Sequence, residues 1–336
     1  QVVRRGRPTV ELFYAAGDPY SHLLVQTLAP LLRADVELLL HVVPPPQPPV
    51  DPEPTLRVRY AMRDAVELAA AHDLAFPHEP AEPTAARVTQ VNAILGRERD
   101  IGEQLDVARR VGDLFWSGAD LTSWRDAEGA DAVATEALLE RNDTRRRRLG
   151  HYQGSMLWFE GEWYWGVDRL THLEARLQSE GIDVGPLLRP PIPGPPIEAD
   201  ALEMFYSFRS PYSYLALERA REIARQHDLP LRIRPVLPMV MRGYRVPLAK
   251  RLYIARDCAR EAERLGIPFG NLCDPLGPGI DRCMALFAWA EERDKGYDLA
   301  LSVGRGAWAE AAGSYEHVNR WAKATMPSNA MLRPRW

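Results

Sequence analysis

Val10–Leu24 reads VELFYAAGDPYSHLL, and Leu202–Ala216 reads LEMFYSFRSPYSYLA. Seven of the fifteen positions agree at an offset of 192. The offset persists downstream: Arg63-Asp64 corresponds to Arg256-Asp257 at 193, and Trp116 to Trp308 at 192 again. A constant offset with matching residue types over about 100 residues reads as one internal duplication. Between the copies, Gly185–Pro196 is rich in proline. Successive prolines favour extended polyproline geometry, so this stretch is read as a semi-rigid linker. The expected boundaries are 8–180 for copy one, 181–199 for the linker and 200–336 for copy two.

Both copies carry the same pattern of elements. An apolar run of strand length (Val10–Tyr14; Leu202–Phe208) leads into a Pro-Tyr-Ser turn. A segment of helical period follows (Ser21–Leu32; Ser213–Gln226), and then a second β run (Val36–Val43; Leu229–Val236). Strand, helix and strand at this spacing form a right-handed βαβ unit with parallel strands. Long helical stretches come next: Leu56–Asp73 in copy one, and Pro247–Leu265 continuing through Asp281–Asp298 in copy two. Copy one then ends with Ser155–Glu160, Glu162–Trp165 and a helix over Val167–Ser179. The alternation of Leu157, Phe159, Trp163 and Trp165 about Glu160-Gly161 is that of a hairpin. The order βαβ, helical insertion, ββα is the thioredoxin layout with an inserted helical subdomain. The predicted fold class is therefore α/β, as two tandem thioredoxin-like domains. Residue 336 corresponds to a position ahead of the hairpin of copy one, and Glu316–Trp336 has no counterpart there. Copy two is thus expected to lack its C-terminal hairpin, which would leave a sheet edge exposed.

Composition narrows the function. Of 336 residues, 46% are apolar and 26% charged, and the net charge is −4. That is the mix of an ordinary globular protein, and bulk positive charge for nucleic acid is missing. The longest apolar candidate, Leu23–Val43, is broken by Arg33, Asp35 and Glu37, so no membrane span is predicted. The N-terminus has no long apolar core, and no signal peptide is read there. Cys258, Cys273 and Cys283 form no C-x-x-C pair, which points to a reducing compartment, the cytoplasm by default. The eight histidines show no metal-ligand spacing, so each is read as a surface or core residue.

The turn after the first strand carries the chemistry. Proline suits the first helical position, so Ser210-Pro211-Tyr212-Ser213 places Ser210 at a helix N-cap. A hydroxyl there, with unpaired backbone N–H groups and the helix dipole, can stabilise an anion such as a thiolate. The plain alternative is a cap and nothing more. Copy one has Asp18 at this place, an equally good cap whose carboxylate would repel a thiolate. Other features have plain readings. Arg145–Arg148 reads as a solvated helix end, with phosphate or an acidic partner as the alternative. Trp158, Trp163 and Trp165 read as core or as an interface between the copies, with stacking on a ligand as the alternative.

FYSFRSPYSYLAL (Phe205–Leu217), VPLAKRLYIARD (Val246–Asp257) and LGIPF (Leu265–Phe269) resemble the kappa-class glutathione transferase and 2-hydroxychromene-2-carboxylate isomerase family, within the DsbA-like thioredoxin superfamily. GHYQGSMLWFEGEWYWGVDRLTHLEARL (Gly150–Leu177) resembles the terminal segment of the same family. The resemblance implies that Ser210 hydrogen-bonds the sulfur of glutathione, a cosubstrate, with Pro211 and Tyr212 beside the peptide. It assigns Asp168 to the glutamyl end, and it places Lys250 and Tyr253 on a matching stretch; their plain readings are a solvated helix face and core. Three departures stand out. Ser155-Met156 replaces a family dipeptide ending in cis-proline. A non-proline cis bond costs about 2.5–4 kcal/mol, so Met156 is expected to be trans and copy one to bind glutathione poorly. Copy two is expected to lack the terminal segment. The family's asparagine after the second strand is missing, and Arg242 and Arg245 would supply charge instead.

The expected activity is that of a glutathione-dependent isomerase or transferase acting on an electrophilic aromatic or unsaturated small molecule. Copy one would be a degenerate pseudo-subunit. The copies would pair as a pseudo-dimer within one chain, or two chains as a homodimer, with neither nucleic acid nor membrane as partner. The alternative is a tandem thioredoxin-like binding or structural protein without catalysis. A dithiol oxidoreductase is disfavoured, because Cys258 sits inside a helical pattern with no resolving thiol nearby.

Overall fold

The strand Thr9–Tyr14 (β1) is central to the first of two compact units into which the chain divides, Gln1–Pro195 and Pro196–Trp336. The structure, a computed structural model, describes residues 6–47, 50–194 and 198–311. The tail expected to lack a counterpart, Glu316–Trp336, lies outside the described residues.

In the first unit, β1 runs into helix α1 (Pro19–Val25), then β2 (Glu37–Val42). The helices α2 (Pro54–His72), α3 (Ala85–Leu95), α4 (Ile101–Trp116), α5 (Thr122–Glu128) and α6 (Ala132–Arg148) follow. The hairpin β3 (Met156–Phe159) and β4 (Glu162–Trp165) and the helix α7 (Leu170–Ser179) complete it. The sheet order is β2-β1-β3-β4, with β1 parallel to β2 and antiparallel to β3. Val10, Leu12 and Tyr14 of β1 pack with Leu24, Val111, Leu157 and Leu173 in one core. Asp18, Asp100 and Asp131 cap α1, α4 and α6 through their side chains, each satisfying an otherwise orphaned N–H.

One charged cluster sits in this core against the usual rule. Glu11 of β1 is 2% exposed. His41 Nε2 lies 2.9 Å from its Oε2, and Arg145 Nη2 donates to its Oε1 at 2.7 Å. Burial alone would raise this carboxyl; the hydrogen bonds and charges of His41 and Arg145 outweigh it and hold the group at about 2. This corrects the reading of Arg145–Arg148 as a solvated helix end. Arg145 anchors α6 to β1, and Arg146 is itself buried, donating to Asp143 and to the Pro44 carbonyl. Trp163 is buried, whereas Trp165 is 39% exposed.

The second unit repeats the opening: β5 (Leu202–Tyr206), α8 (Pro211–Gln226) and β6 (Leu231–Pro235), with β5 parallel to β6. The helices α9 (Leu248–Leu265), α10 (Pro278–Glu291) and α11 (Gly296–Trp308) follow. Among the described residues its sheet has these two strands. The stretch predicted to continue over Asp281–Asp298 is in fact two helices. Asp294, at φ 56° in the left-handed region, marks the break.

The two openings share their contacts residue by residue. Ser21 Oγ accepts from Ala15 N at 3.0 Å, and Ser213 Oγ from Ser207 N at 3.2 Å. Tyr20 donates to Asp64 Oδ2 at 2.7 Å, and Tyr212 to Asp257 Oδ2 at 2.7 Å. Val43 N donates to Tyr14 O, and Val236 N to Tyr206 O, both at 2.8 Å. A close helix approach recurs as well. A Cβ on Gly112 would lie 2.1 Å from the ring of His22, and one on Gly304 would lie 2.6 Å from the ring of Tyr214.

Candidate functional site: the cap of the second unit's first helix

The turn Ser207–Ser210 leads β5 into α8. Ser210 N donates to Ser207 O at 2.9 Å, which closes the turn. Ser210 keeps a non-helical backbone (φ −93°, ψ 117°), as an N-cap must, and its Oγ accepts from Ser213 N at 3.2 Å. Pro211 follows at the first helical position, where its missing N–H costs nothing. A hydroxyl has one donor and two acceptor lone pairs. With one lone pair given to Ser213 N, the O–H of Ser210 is left to donate outward. The residue as a whole is half-buried, and the neighbouring cavity is lined by Arg209 and Pro211 on either side of it, not by Ser210 itself.

Tyr212 is turned the other way. Its hydroxyl donates to Asp257 Oδ2, and Asp257 is fully buried on α9. Tyr253 and Arg260 also donate to Asp257, at 3.3 and 3.1 Å. Burial, and then the Asp257 charge, push the Tyr212 phenol above its ordinary value. Its hydroxyl is therefore a strut between α8 and α9, while its ring lies next to the cap.

A cavity of about 170 Å³ opens beside Pro211. Arg209, Arg251 and Asp274 are its charged lining, and Val246, Ile254, Phe269 and Trp308 supply apolar wall. Phe269 and Trp308 are nearly parallel, 12° apart with centroids at 6.4 Å. Arg209 is fixed by a bidentate pair with Asp274 at 2.7 and 2.6 Å, the fork geometry guanidinium favours. Ligand pockets run from about 300 Å³ upward, so this cavity holds one group of a larger ligand rather than a whole tripeptide.

Of the predicted site residues, Ser210, Pro211 and Tyr212 come together at the start of α8. Lys250 is half-buried in the first turn of α9, and its neighbour Arg251, not Lys250, lines the cavity. Arg242 and Arg245 are exposed, and the Arg242 guanidinium stacks on Tyr244 at 5.2 Å. Asp168 belongs to the first unit, on a 3₁₀ turn over Val167–Arg169. Its side chain is 59% exposed and pairs with Arg169 at 3.3 Å. Sequence reasoning missed Arg209, Arg251 and Asp274. Phe269 and Trp308 did carry a signal, as part of the quoted LGIPF segment and as the repeated tryptophan.

In the first unit the same cap is closed. Asp18 is 7% exposed and its Oδ1 accepts from Tyr20 N at 3.1 Å. Ser155 Oγ donates to Asp18 Oδ2 at 2.8 Å, and Trp165 Nε1 donates to Ser155 Oγ at 3.2 Å. Burial raises the Asp18 carboxyl, against the hydrogen bond of Ser155, the Arg57 charge and the Tyr20 amide.

Among the described residues there is no cluster of three or more His, Cys, Asp or Glu side chains able to hold a metal. No helix among them is long and apolar enough to cross a membrane. Cys258 and Cys283 are buried and Cys273 half-buried; burial pushes the Cys283 thiol up to about 12.

Residues 201–320 match the family model of the DSBA-like thioredoxin domain, and this part of the mixed α/β chain is such a domain. Among solved structures, the chain is similar to a selenomethionine 2-hydroxychromene-2-carboxylate isomerase. The identity is 14% and the TM-score 0.39, over 52% of this chain and 96% of that one. A comparison with curated proteins finds no match.

Proposed function

We propose that the second unit is a glutathione-dependent isomerase or transferase site, in which Ser210 stabilises the glutathione thiolate. The observation that carries this is the state of the Ser210 hydroxyl. It caps α8 and is bonded as an acceptor from Ser213 N in a half-buried residue, which leaves its own proton available to a ligand in this reading. A thiolate facing it would receive that hydrogen bond and the field of the helix N-terminus, while the Arg209 charge is already matched by Asp274. The bond and the field each favour the anion over the thiol. The sulfur would then add to an electrophilic carbon of an aromatic or unsaturated substrate, and the electrons of the broken π bond would move onto the substrate's conjugated acceptor. An isomerase re-forms that π bond by expelling the thiolate after bond rotation. A transferase keeps the C–S bond, as a leaving group departs with its electron pair or a proton is taken up. Pro211 and the Tyr212 ring flank the bound peptide.

We take the two units to be copies of one ancestral domain, because their openings share hydrogen bonds and glycine-to-ring approaches at a constant offset. In this reading the first unit has lost the site. Asp18 and Ser155 satisfy each other where a thiol would bind, so Asp168, exposed nearby in sequence, has no bound peptide to hold. That closure also favours a second reading, in which the whole chain is a tandem binding or structural protein.

Calorimetric titration separates the two. The enzymatic reading predicts saturable heat with glutathione at millimolar concentration, lost in Ser210→Ala and retained in Asp18→Asn. Absence of heat in the unsubstituted chain would favour the binding protein.

A further inference from the structure

The first unit closes its helix cap but keeps a cavity next to it. Three lining residues recur at the offset of 192: Arg59, Met62 and Glu82 here, and Arg251, Ile254 and Asp274 in the cavity beside Pro211. The cavity of the first unit is the larger, about 280 Å³ against about 170 Å³. It opens between the start of α2 and residues 82–84, which lead into α3. Pro54, Val58, Met62 and Pro83 give it apolar walls. A Cβ on Gly17, the residue before the Asp18 cap, would lie 3.6 Å from Pro83 on one of those walls.

The two cavities differ in one charge. In the second unit Arg209 forks onto Asp274 and neutralises it. In the first unit Gly17 stands at the place of Arg209, so Glu82 receives no such fork. Glu82 and Arg59 are both exposed, and neither forms an ion pair with the other or with any other described residue. One apolar cavity therefore carries a carboxylate and a guanidinium that are too far apart to bridge directly.

We propose that this cavity binds a small zwitterion, an α-amino acid with an apolar side chain. Arg59 takes the carboxylate in the planar fork that guanidinium favours. Glu82 takes the ammonium group, and the apolar walls take the side chain. A ligand of one sign would meet one of these charges and leave the other unmet, whereas a zwitterion meets both and keeps the cavity neutral. This assignment does not depend on glutathione binding in the second unit.

The test titrates the full chain with three ligands, read by saturation-transfer NMR on the ligand methyl groups. They are L-leucine, N-acetyl-leucine, which lacks the ammonium group, and leucinamide, which lacks the carboxylate. Leucine should bind saturably, with a Kd below about 10 mM. Each blocked form should bind at least about threefold more weakly. Arg59→Gln should weaken leucine about threefold and leave leucinamide unchanged. Glu82→Gln should weaken leucine by a similar factor and leave N-acetyl-leucine unchanged. Both changes are at exposed side chains and should keep the circular dichroism of the parent. Equal binding of the three ligands, a leucine affinity that ignores either substitution, or no saturable binding would each overturn the proposal. Because leucine rather than glutathione is titrated, a failure at Ser210 leaves this result readable.

Discussion

Ser155 Oγ donates to Asp18 Oδ2 at 2.8 Å across 137 residues of sequence, and this bond closes the helix cap of the first unit. Ser155 makes four such links. Its N–H donates to Ser21 Oγ at 3.0 Å, its carbonyl accepts from Gly166 N at 2.9 Å, and its hydroxyl also accepts from Trp165. These bonds hold a non-glycine residue at φ 49°, a conformation that by itself costs about 1–2 kcal/mol. The equivalent cap in the second unit, Ser210, is half-buried and accepts from Ser213 N.

Replacing Ser155 by alanine should therefore destabilise the first unit by about 1–3 kcal/mol, since a buried acceptor on Asp18 loses its donor. Asp18→Asn should behave oppositely. Asparagine is as good a cap, still accepts from Tyr20 N, and removes a carboxyl whose burial disfavours its charge. Urea unfolding near pH 8 should show Asp18→Asn at least as stable as the parent and Ser155→Ala clearly less so. A destabilised Asp18→Asn would mean that the charge itself is needed.

Two buried groups predict loss of stability in acid. Glu11 sits at about 2 in the fold against an ordinary 4.5, so its contribution is full above 4.5 and is lost as pH falls through 2. His151 sits at about 3 against 6.5, because burial, and then the Arg146 charge, oppose its protonation. Below 6.5 the unfolded chain takes up a proton there that the fold refuses, so stability falls between 6.5 and 3. Glu11→Gln should flatten the limb of the stability curve from 4.5 down to about 2, and His151→Phe the limb from 6.5 down to about 3. Melting temperatures recorded across that range check both.

Gly304→Ala should loosen the second unit. The added carbon would sit 2.6 Å from the Tyr214 ring, and that ring is packed at 1% exposure with its hydroxyl donating to Pro268 O at 3.0 Å. Overpacking of this kind costs about 1–3 kcal/mol. Hydrogen exchange should report faster opening of α8 and α11, with the first unit unaffected. Unchanged protection would show that the helices have room to separate.

The local features of this chain were legible because their causes are local. Pro19 and Pro211 fix the helix starts, and the repeated Tyr and Asp at a constant offset point to equivalent surroundings in the two copies. The long-range features were not. A serine carries no signal that it will be held in the left-handed region, since that preference belongs to glycine and asparagine, so the Ser155–Asp18 closure was invisible. Arg209 and Asp274 lie 65 residues apart with no periodic link. Arg145 reads as solvent-facing because helical period says nothing of the carboxylate that β1 buries beneath it. The break after Glu291 was missed because helix-forming residues continue across it.

Whether Ser210 stabilises a sulfur anion is read from the ultraviolet absorbance of the thiolate, followed against pH with glutathione bound to the full chain. A free thiol of this kind ionises near 8.5. Bound glutathione should ionise at least about one unit lower, and Ser210→Ala should move the transition back toward the free value while Ser155→Ala leaves it in place. A bound thiol that ionises as it does in water, or one whose ionisation ignores the Ser210 substitution, would contradict thiolate stabilisation by Ser210.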